Sequence, residues 1–265
     1  MPPRARGAVQ LGSKRLGQRS VLDGLRQSGS FKCLFPRTTS DALEAVLLNT
    51  AGGITGGDAF DLAAEAGAGT TLTLTTQACE RAYQAQPGPY GQVRNQLAIG
   101  PGARLNWLPQ ETILFEGSAL DRQLRADLAE DASLLLVEPM VFGRAAMGEQ
   151  LNRIRLRDRI EIRRAGHPVF LDATRFAGDL SAHLARPHVA NGAGAMASIV
   201  FAAASAEAQL DPVRRMLPDS AGASLLDPDL LVIRILAADS FELRRAMLPV
   251  LRRLNPDPLP RCWMI

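Results

Sequence analysis

The sequence predicts a mainly β protein: stacked antiparallel or mixed β-sheets, superhelical and sandwich-like, with a small α/β layer of two helices near the C-terminus. Three observations predict it. Residues 41–172 break into short apolar or alternating runs separated by Gly-rich turns. A Gly-x-Gly turn leading into a strand recurs at roughly thirty-residue spacing, the mark of stacked supersecondary units. After about residue 190 the order changes to strand, helix, strand, strand, helix.

The elements follow in order. The first 37 residues are basic, with Asp23 their only carboxylate. They read as a solvated first strand or two rather than as a transit peptide. Asp41–Asn49 is apolar and ends at a turn. Asp58–Ala66 alternates, with Phe60, Leu62 and Ala64 facing one way. Thr70–Thr76 alternates Thr with Leu, as a half-buried strand does. Gln92–Ile99, Ala103–Leu108, Leu120–Leu128 and Ser133–Phe142 are the next strands. The recurring turns begin at Gly67-Ala-Gly69 and Gly100-Pro-Gly102, with a degenerate third copy at 128–135. Met196–Ala203 reads as a buried strand. Asp211-Pro212 reads as an N-cap with Pro at the first helical position. Ala223–Leu226 and Leu230–Leu236 read as strands. Ser240–Leu254 is a helix with Leu243, Met247, Leu251 and Leu254 on one face, kinked or shortened by Pro249. No linker separates the β body (about 20–190) from the α/β layer (about 191–265), so a single domain, 1–265, is expected.

Composition excludes several classes. Hydrophobic residues make up 46%, enough for a sizeable core. No apolar run approaches the roughly 18–20 residues that span a bilayer. Cys33, Cys79 and Cys262 are scattered and odd in number, which argues against a disulfide framework and for a reducing, cytoplasmic setting. A net charge of +3 permits an acidic partner but lacks the clustered stripe of a nucleic-acid binder. His167, His183 and His188 fall in what reads as a loop-rich stretch, without metal-site spacing. No nucleophile elbow, zinc-protease or P-loop motif is present, so catalysis is not expected. Gly192–Ala197 matches a loose dinucleotide fingerprint. It would support a nucleotide-dependent enzyme only if a helix followed it.

Two features remain. Gly52-Gly53 and Gly56-Gly57 could cradle an anion, but no Lys stands beside them and Asp58 follows. A tight turn that aims a carboxylate inward fits better. Glu138 and Asp172 also stand in apolar company, and Glu80 follows Cys79. Each reads first as one half of a structural salt bridge, since a buried carboxylate needs compensation. Together they suggest a polar, water-filled passage. Such a passage would suit a divalent cation, which carboxylate and water ligands bind only moderately, in keeping with transfer better than storage.

These same residues carry a resemblance. Asn49–Asp58, with Gly52, Gly53, Gly56, Gly57 and Asp58, resembles the GG-x-x-GGD segment of the UreD (UreH) urease accessory family. Leu105–Phe115, with Trp107, Pro109 and Gln110, resembles its WLPQ segment. Thr75-Thr-Gln-Ala with Tyr83, Leu134–Arg144 with Glu138, Gly143 and Arg144, Leu25–Lys32 and Leu259–Trp263 resemble further family segments in order. Thr50-Ala51 stands where many relatives carry His-Pro or Pro-Pro. The resemblance implies a β-rich, non-enzymatic scaffold that bridges the urease apoenzyme (UreABC) to UreF and the GTPase UreG. It implies no tightly bound cofactor, but transient Ni²⁺ moving through an internal passage lined by Asp58, Glu80, Glu138 and Asp172.

Overall fold

The structure, a computed structural model, describes residues 3–264. The basic N-terminal segment forms β1 (Arg6–Leu16) and β2 (Arg19–Gly29), an antiparallel hairpin. β3 (Phe31–Leu34) and β4 (Leu43–Asn49) pair in the same sense. The chain then winds in coils. β5 (Ala59–Ala66) closes the first. β6 (Thr71–Thr76), the short β7 (Glu80–Ala82) and β8 (Gly91–Ile99) form the second. β9 (Arg104–Leu108), β10 (Thr112–Leu114) and β11 (Ala119–Leu128) form the third. β12 (Ser133–Phe142) leads into a long hairpin of β13 (Ile154–Arg164) and β14 (His167–Gly178).

Equivalent strands of successive coils pair in parallel: β4, β6, β9 and β12 on one side, β5, β8, β11 and β13 on the other. The recurrent Gly-x-Gly turn is the corner between them. The Gly100 N–H donates to Ala66 O at 2.8 Å, and a Cβ on Gly100 would come within 3.1 Å of that oxygen. The third copy has lost its glycines, but its Asp131 carboxylate accepts the Gly102 N–H at 2.9 Å. The degenerate repeat therefore still holds the stack together.

Two sheets result. The outer one has the order β14-β13-β11-β8-β5-β1-β2. The other continues past β12 through α1 (Leu180–Leu184), β15 (Ala195–Ala202), α2 (Ala206–Arg214), β16 (Ala221–Asp227), β17 (Leu230–Ala237) and α3 (Ser240–Leu254). Its main path is β16-β17-β15-β12-β9-β6-β4-β3, with β10 and β7 as a side branch from the far end of β12. One apolar core, including Leu62, Leu72, Leu105 and Leu134, fills the space between the sheets. A second, including Val137, Ile199, Ile233 and Met247, lies between the other face of that sheet and the helices. The second sheet is thus buried on both faces, and near-continuous apolar strands such as β12 are what such burial requires.

Four expectations change. Thr73 and Thr75 are buried rather than solvent-facing. Thr73 accepts from Asn106 at 2.9 Å, and Thr75 Oγ1 lies 3.4 Å from Cys262 Sγ, so the C-terminal layer covers this face. α2 starts at Ala206, not at Pro212, which sits in its last turn. The fully buried Ala206 pins the earlier start. α3 has the predicted bounds and is capped by Asp239, which accepts the Glu242 N–H at 2.9 Å; Pro249 does not shorten it. The histidine region is mostly ordered structure: His167 opens β14 and His183 lies in α1.

Candidate functional site: a carboxylate-lined cavity between the sheets

The loop at Asn49–Asp58 is built on its glycines. Gly52 has φ 81° and Gly57 has φ 90°, in the region that only glycine enters without strain. A Cβ on Gly53 would collide with the Tyr83 ring and the Arg81 carbonyl. Close approach, not phosphate binding, is what this pair provides. Asp58 is buried, and both its oxygens are committed: Oδ1 accepts the Ala5 N–H and Oδ2 the Thr55 N–H, each at 2.8 Å. It ties the N-terminal strand to the loop.

This loop forms one lip of a cavity of about 180 Å³ between the sheets. Exposed Gly52, Gln77 and Arg81 lie at its rim, and fully enclosed Trp107, Arg122 and Glu138 lie at its floor. Glu80 stands between. Its carboxylate accepts from Asn49 Nδ2 at 3.1 and 3.2 Å and from the Arg81 N–H at 3.0 Å. Burial nonetheless pushes its pKa above the ordinary value, and the nearby Asp58 charge adds to the rise.

At the floor, Glu138 Oε1 accepts the Trp107 Nε1–H at 2.7 Å, and Oε2 ion-pairs with Arg122. Arg122 also donates to both Asp158 oxygens, at 2.9 and 2.6 Å, and to Thr112 Oγ1 at 3.1 Å. Two carboxylates thus share one guanidinium. Burial pushes the Glu138 carboxyl up, and Arg122 opposes that rise. The Asp158 and Glu138 charges hold Arg122 firmly protonated against its own desolvation.

A second polar knot borders the cavity at Gln110. Arg244, from α3, donates to both Glu111 oxygens at 3.0 and 2.9 Å and to Gln110 Oε1, and lies 5.3 Å from the Trp263 ring centroid. The Cys79 thiol donates to Glu111 at 3.3 Å. Burial, then the Glu111 charge, pushes that thiol up to about 11. Gln110 Nε2 is buried and meets no acceptor among the described residues.

The sequence-predicted residues therefore separate. Glu80, Glu138, Gly52, Trp107, Pro109 and Gln110 line the cavity. Asp58 braces its lip from behind. Asp172, on β14, pairs with Arg234 of β17 at 2.6 Å and is not among the lining residues. Gly143 (φ 82°) turns the chain so that Arg144 binds Glu149 at 2.9 Å and stacks 4.4 Å from the Phe115 ring centroid. Among the described residues, no three His, Cys, Asp or Glu side chains converge as a metal site. Gly192–Ala197 runs directly into β15, so the strand there rules out the helix a dinucleotide fingerprint needs. Sequence reasoning missed Arg122, Asp158, Glu111 and Arg244. Arg122 had a signal: it shares the inward parity of Leu120, Leu124 and Ala126, where a charge demands a partner.

The sequence profile described as UreD urease accessory protein matches residues 5–264. A urease accessory protein UreD from Ruegeria pomeroyi (strain ATCC 700808 / DSM 15171 / DSS-3) is 62% identical over 97% of this chain and 100% of its own length. One from Roseobacter denitrificans (strain ATCC 33942 / OCh 114) is 52% identical over 99% of this chain and 96% of its own. One from Rhizobium etli (strain ATCC 51251 / DSM 11541 / JCM 21823 / NBRC 15573 / CFN 42) is 43% identical with the same coverage, 99% and 96%. The chain therefore belongs to the UreD urease accessory protein family, whose part is in urease maturation.

Proposed function

We propose that this chain is a non-catalytic maturation scaffold that joins the urease apoenzyme to UreF and UreG, and that Ni²⁺ bound for urease travels through the cavity. The carrying observation is the placing of two carboxylates at different depths of one cavity, Glu80 near the rim and Glu138 at the floor. Glu80, raised in pKa yet close to the surface, meets the cation first. Glu138 is balanced by Arg122, so a divalent cation there competes with a guanidinium and is not trapped. Oxygen ligands without thiolate or imidazole partners keep affinity moderate, as a relay needs. The Asp58 charge contributes to the field at Glu80. Nickel is cargo here and not a resident cofactor. The three cysteines are free thiols, in keeping with a reducing cytoplasm.

The test is co-expression of the urease genes with Glu80→Gln or Glu138→Gln chains. Each variant is expected to co-purify with apourease, UreF and UreG as wild type does, while urease activation falls several-fold. Full activation by both variants contradicts the passage. Loss of co-purification with folded variants contradicts the assignment of these residues to cation handling rather than assembly.

A further inference from the structure

The outward face of the seven-stranded sheet ends in an arginine-rich edge. On β13, Ile154, Leu156, Ile160 and Ile162 turn inward, so Arg155, Arg157, Arg159, Glu161 and Arg163 point outward. Opposite them on β14 stand Ala177, Arg175, Ala173 and Leu171. Arg157 and Arg175 are direct cross-strand partners. Like charges so placed oppose the pairing of their strands.

Among the described residues no ion pair forms to either of them. Asp121, facing Arg157 from β11, is held by Arg94 at 3.0 Å. Glu161 is shared by Arg159 and Arg163, at 2.9 and 2.7 Å. Among the described residues neither Arg157 nor Arg175 has a carboxylate within ion-pairing distance. Arg155 and Arg157 each lie 4.8 Å from the Tyr90 ring centroid, which holds two guanidinium groups on this face.

β14 is also a free sheet edge, since among the described residues it pairs with β13 alone. It is 12 residues long, with Val169 and Leu171 exposed. Long free edges are normally blunted by proline, lysine or bulges. Here Pro168 and the bulge at Ile162/Arg163 interrupt only one end.

We propose that the β13–β14 edge docks an extended acidic segment of a partner protein. The segment adds to β14 as a strand and sets a carboxylate on Arg175 at the edge, with Arg157 adding to the positive field behind it. A nucleic acid fits less well, because the same face carries exposed Asp61 and Glu65, which repel a phosphate backbone. The inference is independent of the nickel passage and uses neither the cavity nor urease.

Fluorescence anisotropy of the purified chain with a labelled peptide of alternating Glu and Val tests it. Controls are a Glu-Pro peptide of equal charge, which cannot form a strand, and single-stranded oligothymidylate. The Glu-Val peptide is expected to bind, and Arg157→Glu/Arg175→Glu to weaken it by at least about tenfold. Arg157→Gln/Arg175→Gln, which removes both charges without reversing them, is expected to fold normally and to bind with intermediate affinity. Unchanged binding by the charge-reversed variant, equal binding of the Glu-Pro peptide, or tighter binding of the oligonucleotide overturns the proposal.

Discussion

Replacing Trp107 by Phe removes the indole N–H and also shrinks a buried ring. That N–H is the donor to Glu138 Oε1, at the buried floor of the cavity. Leaving a buried carboxylate oxygen without its donor costs about 1–3 kcal/mol. Trp107→Phe is therefore expected to lose at least that much stability in urea denaturation, the space left by the smaller ring adding to the loss. The Arg144–Glu149 pair gives a pH prediction. The Arg144 side chain holds the Glu149 carboxyl at about 2, below its ordinary 4.5. Its native pKa is depressed, so its contribution is full above pH 4.5 and is lost as pH falls towards 2. The stability gap between wild type and Arg144→Gln should be open at neutral pH and close across that interval in acid titrations followed by circular dichroism. At this scale the sequence was only partly readable. Glu138 stood out as a carboxylate in an apolar strand, but its partner Arg122 comes from another coil. Asp58 is buried but is not among the residues lining the cavity. That its oxygens are used by backbone depended on Ala5, 53 residues away, which no local pattern displays.

Elements were more legible, because period and turn chemistry are local. β12 and α3 have the bounds their patterns predict. α2 does not, because Ala206 is held by tertiary burial and the proline was taken for a start signal. The glycine loop yields a paired prediction. A Cβ on Gly52 meets nothing within 4 Å, so Gly52→Ala costs only the left-handed conformation, about 1–2 kcal/mol. Gly53→Ala also displaces Tyr83 and Arg81 and should cost clearly more in the same denaturation assay. In α3, Pro249 is exposed and withholds one helical N–H. Pro249→Ala should raise stability by about 1–3 kcal/mol, read as a higher Tm.

For the whole molecule, parallel coils stack two sheets, and the C-terminal layer buries the second sheet's other face. That double burial explains why Thr-rich β6 misled a half-buried reading. The stacked repeat was visible in the sequence as a recurring turn. The cavity was not, because it arises where side chains from β4, β6, β9, β11 and β12 meet. Its two depths are what a transfer path requires: a carboxylate near solvent, then one balanced by a cation of the protein's own. In the proposed function Ni²⁺ reaches urease through this cavity. The most direct measurement is the nickel content, by mass spectrometry, of urease matured with the Glu80→Gln/Glu138→Gln chain, in preparations where the accessory complex assembles normally. The account predicts urease with far less nickel than that matured by wild type. Urease with a full complement of nickel would contradict it.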